Sequence, residues 1–395
     1  MKILMISDVY FPRINGVSTS IFIFRRELAQ LGHEIVLIAP GYDELGEQAI
    51  KGETNNEIFR VPARRVIFDP EDRLMKGRDI RQLTATLEKR NFDLVHVQTP
   101  FMAHYAGLKF ARHFNLPCVA SYHTFFEEYL YHYLPLVPKK LMRYMARSFS
   151  QSQCNALDAL IVPSRAMVEI LHGYHIKTPI RIISTGIDLA DLRGGDGIAF
   201  RLRHSIATER PMVIYVGRVA FEKKIDFLFH VIKRTRNHLP QILLVIVGDG
   251  PARLHLERLV TRLGIQENVK FVGYLARHGE LRDAYQAANA FVFSSDTETQ
   301  GLVLLEAMAL GVPVVSTAEM GTRDILQAGR GALVAARNVV DFSDKLLYLL
   351  NDHNLHERLA HEGSDYAREW SASAMAMRMA EFYIEVIKSR QRNHA

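Results

Sequence analysis

The sequence predicts an α/β protein built on two parallel sheets, and three observations carry that reading. Short apolar runs alternate with amphipathic stretches through both halves, the rhythm of parallel strands joined by crossover helices. The runs fall into two successive series, and a chain of 395 residues is longer than one hydrophobic core usually serves. Between the series lies Leu192-Arg193-Gly194-Gly195-Asp196-Gly197, with three glycines in four residues, which marks a hinge or an exposed connection.

The first series reads as strands at Lys2 to Ser7, Glu34 to Ala39, Asp93 to Val97, Cys118 to Ser121, Ala159 to Val162 and Ile180 to Ser184. The second reads as strands at Met212 to Val216, Ile242 to Val247, Val269 to Val272, Ala290 to Phe293, Val312 to Ser316 and Ala332 to Val334. Each run stops at a polar residue, a glycine or a proline. From Ser371 to Lys388 the apolar positions Met375, Met379, Phe382 and Val386 have helical spacing, which predicts a closing helix whose packing partner periodicity leaves open.

Composition excludes several classes. With 48% hydrophobic and 23% charged residues the chain has the make-up of an ordinary folded enzyme. Cys118 and Cys154 stand in apolar sequence and outside any C-x-x-C pair, so they read as buried thiols in a reducing compartment. The first apolar stretch ends at Asp8 and no segment nears eighteen consecutive apolar residues, so a membrane span is not expected and the protein reads as cytoplasmic. The net charge is +6, and the excess is concentrated early, with 23 basic against 18 acidic residues in positions 1 to 185. Without zinc spacing, interleaved aromatics or a helix-turn-helix pattern, this excess does not suggest nucleic acid; an anionic surface or a phosphate ligand suits it better.

The richest stretch runs from Phe291 to Pro313. A buried strand enters a polar loop and then a helix that is apolar on nearly every face except at Glu306. A carboxylate there needs a partner, either a basic residue or a pair of ligand hydroxyls. The amides of Gln300, Gly301 and Leu302 fall at the helix N-terminus, where free N–H groups and the dipole favour an anion; a plain helix cap is the other reading. Arg218 and Lys223 follow the strand Met212 to Val216, two cations in a loop at its carboxyl end that suit a diphosphate or form a solvated basic turn. Pro12-Arg13-Ile14-Asn15-Gly16-Val17 links the first strand to the first helix, and Gly16 would either complete a tight turn or let backbone approach a ligand. His123 follows a strand end, a place that favours function over structure. His96, inside a strand, reads as a satisfied core histidine. Val247-Gly248-Asp249-Gly250-Pro251 is not a dinucleotide fingerprint, because Arg253 stands where the next glycine belongs, and no G-K-[ST] loop occurs. Nor is there an H-E-x-x-H, a paired C-x-x-C or a D-x-D, so no metal and no cofactor is expected.

These residues resemble glycosyltransferase family 4. Glu298 and Glu306 match its E-x7-E signature, with Gly301, Leu305-Glu306-Ala307, Gly311 and Pro313 in register, and the G-D-G-P turn, Val162-Pro163-Ser164 and Thr185-Gly186-Ile187-Asp188 also match. The resemblance implies the GT-B fold, two Rossmann-like domains facing across a cleft: 1–190, with 371–390 crossing back onto it from Trp370 onward, and a donor domain at 198–370. It implies metal-independent hexosyl transfer with retention, from a UDP- or GDP-sugar. Carried over by position, Glu306 would bind the ribose hydroxyls, Glu298 the donor sugar, Arg218 and Lys223 the diphosphate, Gly16 the diphosphate from the N-terminal side, and His123 the neighbourhood of the transferred sugar. The family commonly has glycine where Lys224 stands, and often histidine where Gln98 stands.

Acceptor chemistry is less directly encoded. Tyr129 to Leu157 contains no acidic residue, and Lys140, Arg143 and Arg147 recur on one helical face with Leu141, Met145 and Phe149 offset from them. Such a helix either lies on an anionic bilayer or is a solvated face over the core. Gln300 and the segment from His123 through Glu128 resemble the diacylglycerol glucosyltransferase branch, which implies a lipid acceptor and a peripheral place on the inner face of the cytoplasmic membrane. The alternatives are a soluble or polysaccharide acceptor, a nucleotide-sugar 2-epimerase, and a binding-only homologue.

Overall fold

A computed structural model describes residues 1–13, 15–42, 58–66, 69–123, 139–276 and 279–394. The chain forms two compact units, Met1–Thr185 with Ala372–Ala395, and Gly186–Ser371; the change of unit falls ahead of the glycine cluster at Gly194 to Gly197.

In the first unit the strands are β1 (Lys2–Ile6), β2 (Glu34–Pro40), β3 (Ile58–Val61), the pair β4 (Ala63–Val66) and β5 (Asp69–Met75), then β6 (Leu94–Val97), β7 (Cys118–Ser121), β8 (Ala159–Val162) and β9 (Ile180–Ile182). All but β4 and β5 form one sheet in the order β3-β2-β1-β6-β7-β8-β9, parallel throughout. Ile3, Leu4, Met5 and Ile6 have no exposed surface, as expected for a central parallel strand covered on both faces. The helix Gly16–Gln30 packs Ile21, Phe24 and Leu28 on this sheet. The small strands β3, β4 and β5 were not anticipated: Ile58-Phe59-Arg60-Val61 is four residues long with a charge inside it, and the other two strands lie off the main sheet.

The closing helix spans Ala372–His394. Its Met375, Met379, Phe382 and Val386 are buried in the first unit's core with Ile3, Met5, Ile21 and Phe24, which answers the question that periodicity left open. One expectation is corrected. Trp370 packs on the core of the second unit, stacks edge-on against Tyr366 and accepts the Ile187 N–H at its carbonyl, 2.9 Å away; the chain joins the first unit only from Ala372.

The second unit carries β10 (Met212–Val216), β11 (Leu243–Val247), β12 (Val269–Gly273), β13 (Ala290–Phe293), β14 (Val314–Thr317) and β15 (Ala332–Ala335). They form a parallel sheet in the order β12-β11-β10-β13-β14-β15, with β10 and β11 wholly buried. This is the strand order of a doubly wound nucleotide-binding fold, and its direction of winding reverses between β10 and β13, as it does between β1 and β6 in the first unit. Loops leaving the carboxyl ends of strands at such a reversal open a crevice for ligand. Among the described residues no helix is long and apolar enough to cross a membrane.

Candidate active site

In the second unit the two predicted constellations leave the two strands that flank the reversal. β10 runs into Gly217 and Arg218, then a single 3-10 turn, Phe221–Lys223. β13 runs into Ser294 and Ser295 and reaches Glu298 before the helix Leu302–Ala309. The fold therefore brings together residues 75 positions apart: Lys223 Nζ lies 2.9 Å from Glu298 Oε2. Ser294 Oγ donates to the Lys224 carbonyl at 2.9 Å, tying the two loops together at backbone level. Arg218 is exposed, and its guanidinium has no ion-pair partner among the described residues. The turn Gly248-Asp249-Gly250-Pro251 supports the Arg218 loop, since the Val219 N–H donates to the Asp249 carbonyl at 3.0 Å.

Lys224 occupies the position where the family favours glycine, and its φ is +53°. Left-handed backbone is the reason glycine suits the site, and here a lysine adopts it.

Glu298 is held from several sides. Beside the Lys223 ammonium, its Oε1 accepts long hydrogen bonds from Gly301 N at 3.3 Å and Gln300 N at 3.5 Å. Burial opposes its ionisation, but the charge and hydrogen bond of Lys223 and the two amides outweigh that, and the carboxyl titrates below its ordinary range. Two of the three amides expected to greet an anion are thus turned to Glu298, and Leu302 N opens the helix behind them. Gly301 takes φ +78° as the cap of that helix. A second turn, Glu319 to Thr322, backs the loop: Gly321 N donates to the Glu298 carbonyl at 2.8 Å, and a Cβ at Gly321 would sit 2.0 Å from the Thr299 carbonyl oxygen. Only a glycine allows so close an approach. Sequence reading passed over Gly321 because nothing local distinguishes it from an ordinary turn.

Glu306 is buried, at 5% exposure, and the Tyr285 hydroxyl donates to its Oε2 at 3.3 Å. Tyr285 sits on the short helix Glu280–Gln286 with no motif around it, so its role was not legible in advance.

In the first unit Gly16 opens the helix Gly16–Gln30, capped by Asn15, whose side chain accepts from Ser18 N at 2.8 Å. A Cβ added at Gly16 would meet no atom within 4 Å. His123 is half-buried just past β7, and its Nε2 lies 3.0 Å from Gln98 Oε1; burial lowers its pKa to about 4, so it is neutral. His96 is fully buried and bonded through both nitrogens, to Tyr383 and Ser121. Asp8, which the motifs did not single out, accepts from Thr99 Oγ1 at 2.8 Å and from Ala103 N at 3.1 Å. It thereby caps the helix Met102–Phe114 from a distance, and burial raises its pKa to about 6. Thr99, Gln98 and His123 also line a cavity of about 50 Å³ with His104, Tyr122 and Gln153. Among the described residues no group of His, Cys, Asp and Glu is placed to hold a metal ion.

Residues 14–191 match the family model described as Glycosyltransferase Family 4, and residues 199–366 match the one described as Glycosyl transferases group 1. The alpha-monoglucosyldiacylglycerol synthase of Streptococcus pneumoniae is 28% identical over 98% of this chain and 87% of its own length. A GDP-mannose-dependent alpha-mannosyltransferase of Corynebacterium glutamicum is 27% identical over 99% of this chain and 91% of its own. Among solved structures, HepE of Anabaena in complex with UDP superposes with a TM-score of 0.75 at 16% identity, covering 98% of this chain and 100% of that one. Sucrose-phosphate synthase of Thermosynechococcus elongatus gives 0.75 at 20%, covering 98% and 99%. At these identities the structural likeness shows the GT-B fold.

Proposed function

The chain belongs to glycosyltransferase family 4, and from that premise we propose that it moves a hexose, with retention, from a UDP- or GDP-linked sugar to the hydroxyl of a membrane lipid such as diacylglycerol or a glycolipid. The observation that carries the transfer reading is the meeting of Lys223 and Glu298, with exposed Arg218 earlier on the Lys223 loop, at the winding reversal of the second sheet. Two cations and a helix N-terminus gather where a nucleotide diphosphate would lie in a doubly wound fold.

In this reading Glu306, steadied by Tyr285, takes the ribose hydroxyls. Glu298, kept ionised, takes hydroxyls of the donor sugar and shares Lys223 with the diphosphate. The acceptor oxygen attacks the anomeric carbon on the face from which the diphosphate departs. The anomeric C–O bond breaks with its electron pair going to the leaving phosphate oxygen, which also takes the acceptor's proton. Negative charge grows on that oxygen, so Arg218 and Lys223 act mainly in the transition state, and they supply the neutralisation that a divalent cation supplies elsewhere. Leu302 N completes the donor side, while Gln300 and Gly301 serve it indirectly by holding Glu298 through their amides. From the first unit the reading takes Gly16 for the diphosphate and neutral His123 for the transferred sugar.

Support for a lipid acceptor comes from the helix Lys139–Cys154. It buries Met142, Ala146 and Ser150 and leaves Leu141, Tyr144 and Met145 at 50%, 71% and 48% exposure. An exposed apolar stripe on a helix of this composition suits the headgroup region of a bilayer. Arg147 on the same helix packs over the Tyr174 ring, 5.4 Å away; the side chains of Lys140 and Arg143, and residues 124–138, lie outside the described residues. The protein would then work as a peripheral enzyme on the inner face of the cytoplasmic membrane.

The test is a donor screen that follows nucleotide diphosphate release from UDP- and GDP-sugars in EDTA, with and without diacylglycerol in anionic vesicles. Release that depends on vesicles and yields an α-linked glycolipid supports the proposal. Equal release with a soluble glycan and no vesicles moves the acceptor to a glycan. Isomerised donor without transfer indicates an epimerase, and no turnover with any donor indicates a binding-only homologue.

A further inference from the structure

A line of buried hydrogen bonds runs from the closing helix to His123. Tyr383 Oη lies 2.6 Å from His96 Nδ1, Gln98 Nε2 lies 3.1 Å from that same nitrogen, and Gln98 Oε1 lies 3.0 Å from His123 Nε2. On its far side His96 Nε2 meets Ser121 Oγ at 2.9 Å. Tyr383 and His96 have no exposed surface and Gln98 has 3%. All these residues belong to the first unit.

The chemistry of the groups gives this line a direction. An amide has a donor end and an acceptor end. With its NH2 toward His96, the His96 Nδ1 must be bare, so His96 carries its proton on Nε2 and gives it to Ser121. Gln98 Oε1 can then only accept, so His123 carries its proton on Nε2. Its Nδ1, with no hydrogen-bond partner among the described residues, is left bare. Turning the amide over reverses every step: His96 protonated on Nδ1, His123 bare on Nε2 and protonated on Nδ1.

Tyr383 separates the two states. Burial pushes its ionisation far up, so it is a neutral hydroxyl, and His96 is its hydrogen-bond partner among the described residues. In the first state its O–H, at 2.6 Å, and the Gln98 NH2, at 3.1 Å, share the one lone pair of the bare Nδ1. In the reversed state Nδ1–H points at the phenol oxygen and the phenol hydrogen has no acceptor among the described residues, a buried unsatisfied donor.

We propose that Tyr383 is a positioning residue that, through His96 and Gln98, sets which nitrogen of His123 carries the proton, leaving Nδ1 to accept a hydrogen bond from a hydroxyl of the sugar or acceptor. The step toward substrate rests on the reading that His123 meets the transferred sugar; the tautomer relay itself does not. A helix at the far end of the chain thus determines the hydrogen-bonding character of an imidazole that follows β7.

The test is nitrogen-15 NMR of the histidine-labelled protein, with the His123 signals assigned by loss in His123→Asn, beside donor turnover. The wild type is expected to show His123 as the Nε2–H tautomer. Tyr383→Phe, checked for an intact melt, is expected to shift His123 toward a mixture of tautomers. Its kcat should fall by about tenfold or more, as when a catalytic imidazole loses its tautomer lock, with the donor KM little changed. Gln98→Leu cuts the line at its middle and should give the same mixture, and it carries the test should Tyr383→Phe fail to fold. A wild-type spectrum with the proton on Nδ1, or unchanged His123 signals in the variants, overturns the relay. A tautomer shift together with full turnover in both Tyr383→Phe and His123→Ala upholds the relay and removes His123 from the active site.

Discussion

Two glycines, one in each unit, have opposite surroundings: open space at Gly16 and a packed methyl group at Gly301. At Gly16 an added Cβ meets nothing within 4 Å, and the residue is not among those with positive φ. Gly16→Ala should therefore stabilise the protein by about 0.4–1 kcal/mol, through a less flexible unfolded chain. For a unit of this size that is a rise in Tm of roughly 1–4 °C. At Gly301 φ is +78° and a Cβ would lie 2.9 Å from the Ile325 Cδ1 methyl. The left-handed backbone alone costs an alanine about 1–2 kcal/mol, and displacing the methyl adds to it, so Gly301→Ala should lower Tm by several degrees. Gly301→Ala should lose donor turnover because the Glu298 loop shifts, and Gly16→Ala should lose it on the proposal that Gly16 takes the donor diphosphate, where an added methyl group would intrude. The measurement is paired, a calorimetric melt and nucleotide diphosphate release on the same preparations. A raised Tm with full turnover would make Gly16 an ordinary turn residue, and a lowered Tm would refute the steric argument itself.

Lys223→Ala should reduce kcat by about 10²-fold or more; a change confined to donor KM would contradict a transition-state role. The same variant has a pH signature: because Glu298 titrates below its ordinary range, its stabilisation is complete above that range and is lost as pH falls through the depressed value, and denaturant midpoints of Lys223→Ala should show less of this acid loss. Buried His96, His104 and His123, with pKa values lowered to about 3, about 4 and about 4, bind protons less readily folded than unfolded, so the urea midpoint should fall as pH drops below the ordinary histidine range. Asp8, raised to about 6, binds its proton sooner when folded and opposes that fall, so Asp8→Asn should steepen it. Lys224→Gly should raise stability by about 1 kcal/mol by relieving a left-handed lysine; a lower melting temperature would show that the side chain makes up for its backbone.

Much of this architecture was legible because parallel strands buried on both faces read as continuous apolar runs, and such runs stand out without any partner being known. Met212 to Val216, Ala290 to Phe293, Cys118 to Ser121 and Ala159 to Val162 were read with the bounds the structure has. So were the positions of Arg218, Lys223 and Glu298 in loops that leave strand ends and of Glu306 in the helix that follows, because β10 and β13 stop at Gly217 and at Ser294. Four things were decided only in three dimensions. The Lys223–Glu298 pair depends on β10 and β13 being neighbours, which is sheet order and not sequence order. Tyr285 reaches Glu306, and Gly321 presses on Thr299, across separations that leave no periodic mark. The amides of Gln300 and Gly301 turn to Glu298, a matter of loop conformation that residue types do not specify. The closing helix announced its apolar face through Met375, Met379, Phe382 and Val386, and the family resemblance placed it on the first domain, but that it brings Tyr383 to His96 was settled by packing. The physical reason is common to all four: hydrophobic periodicity records whether a side chain is buried, and only the folded chain records against what.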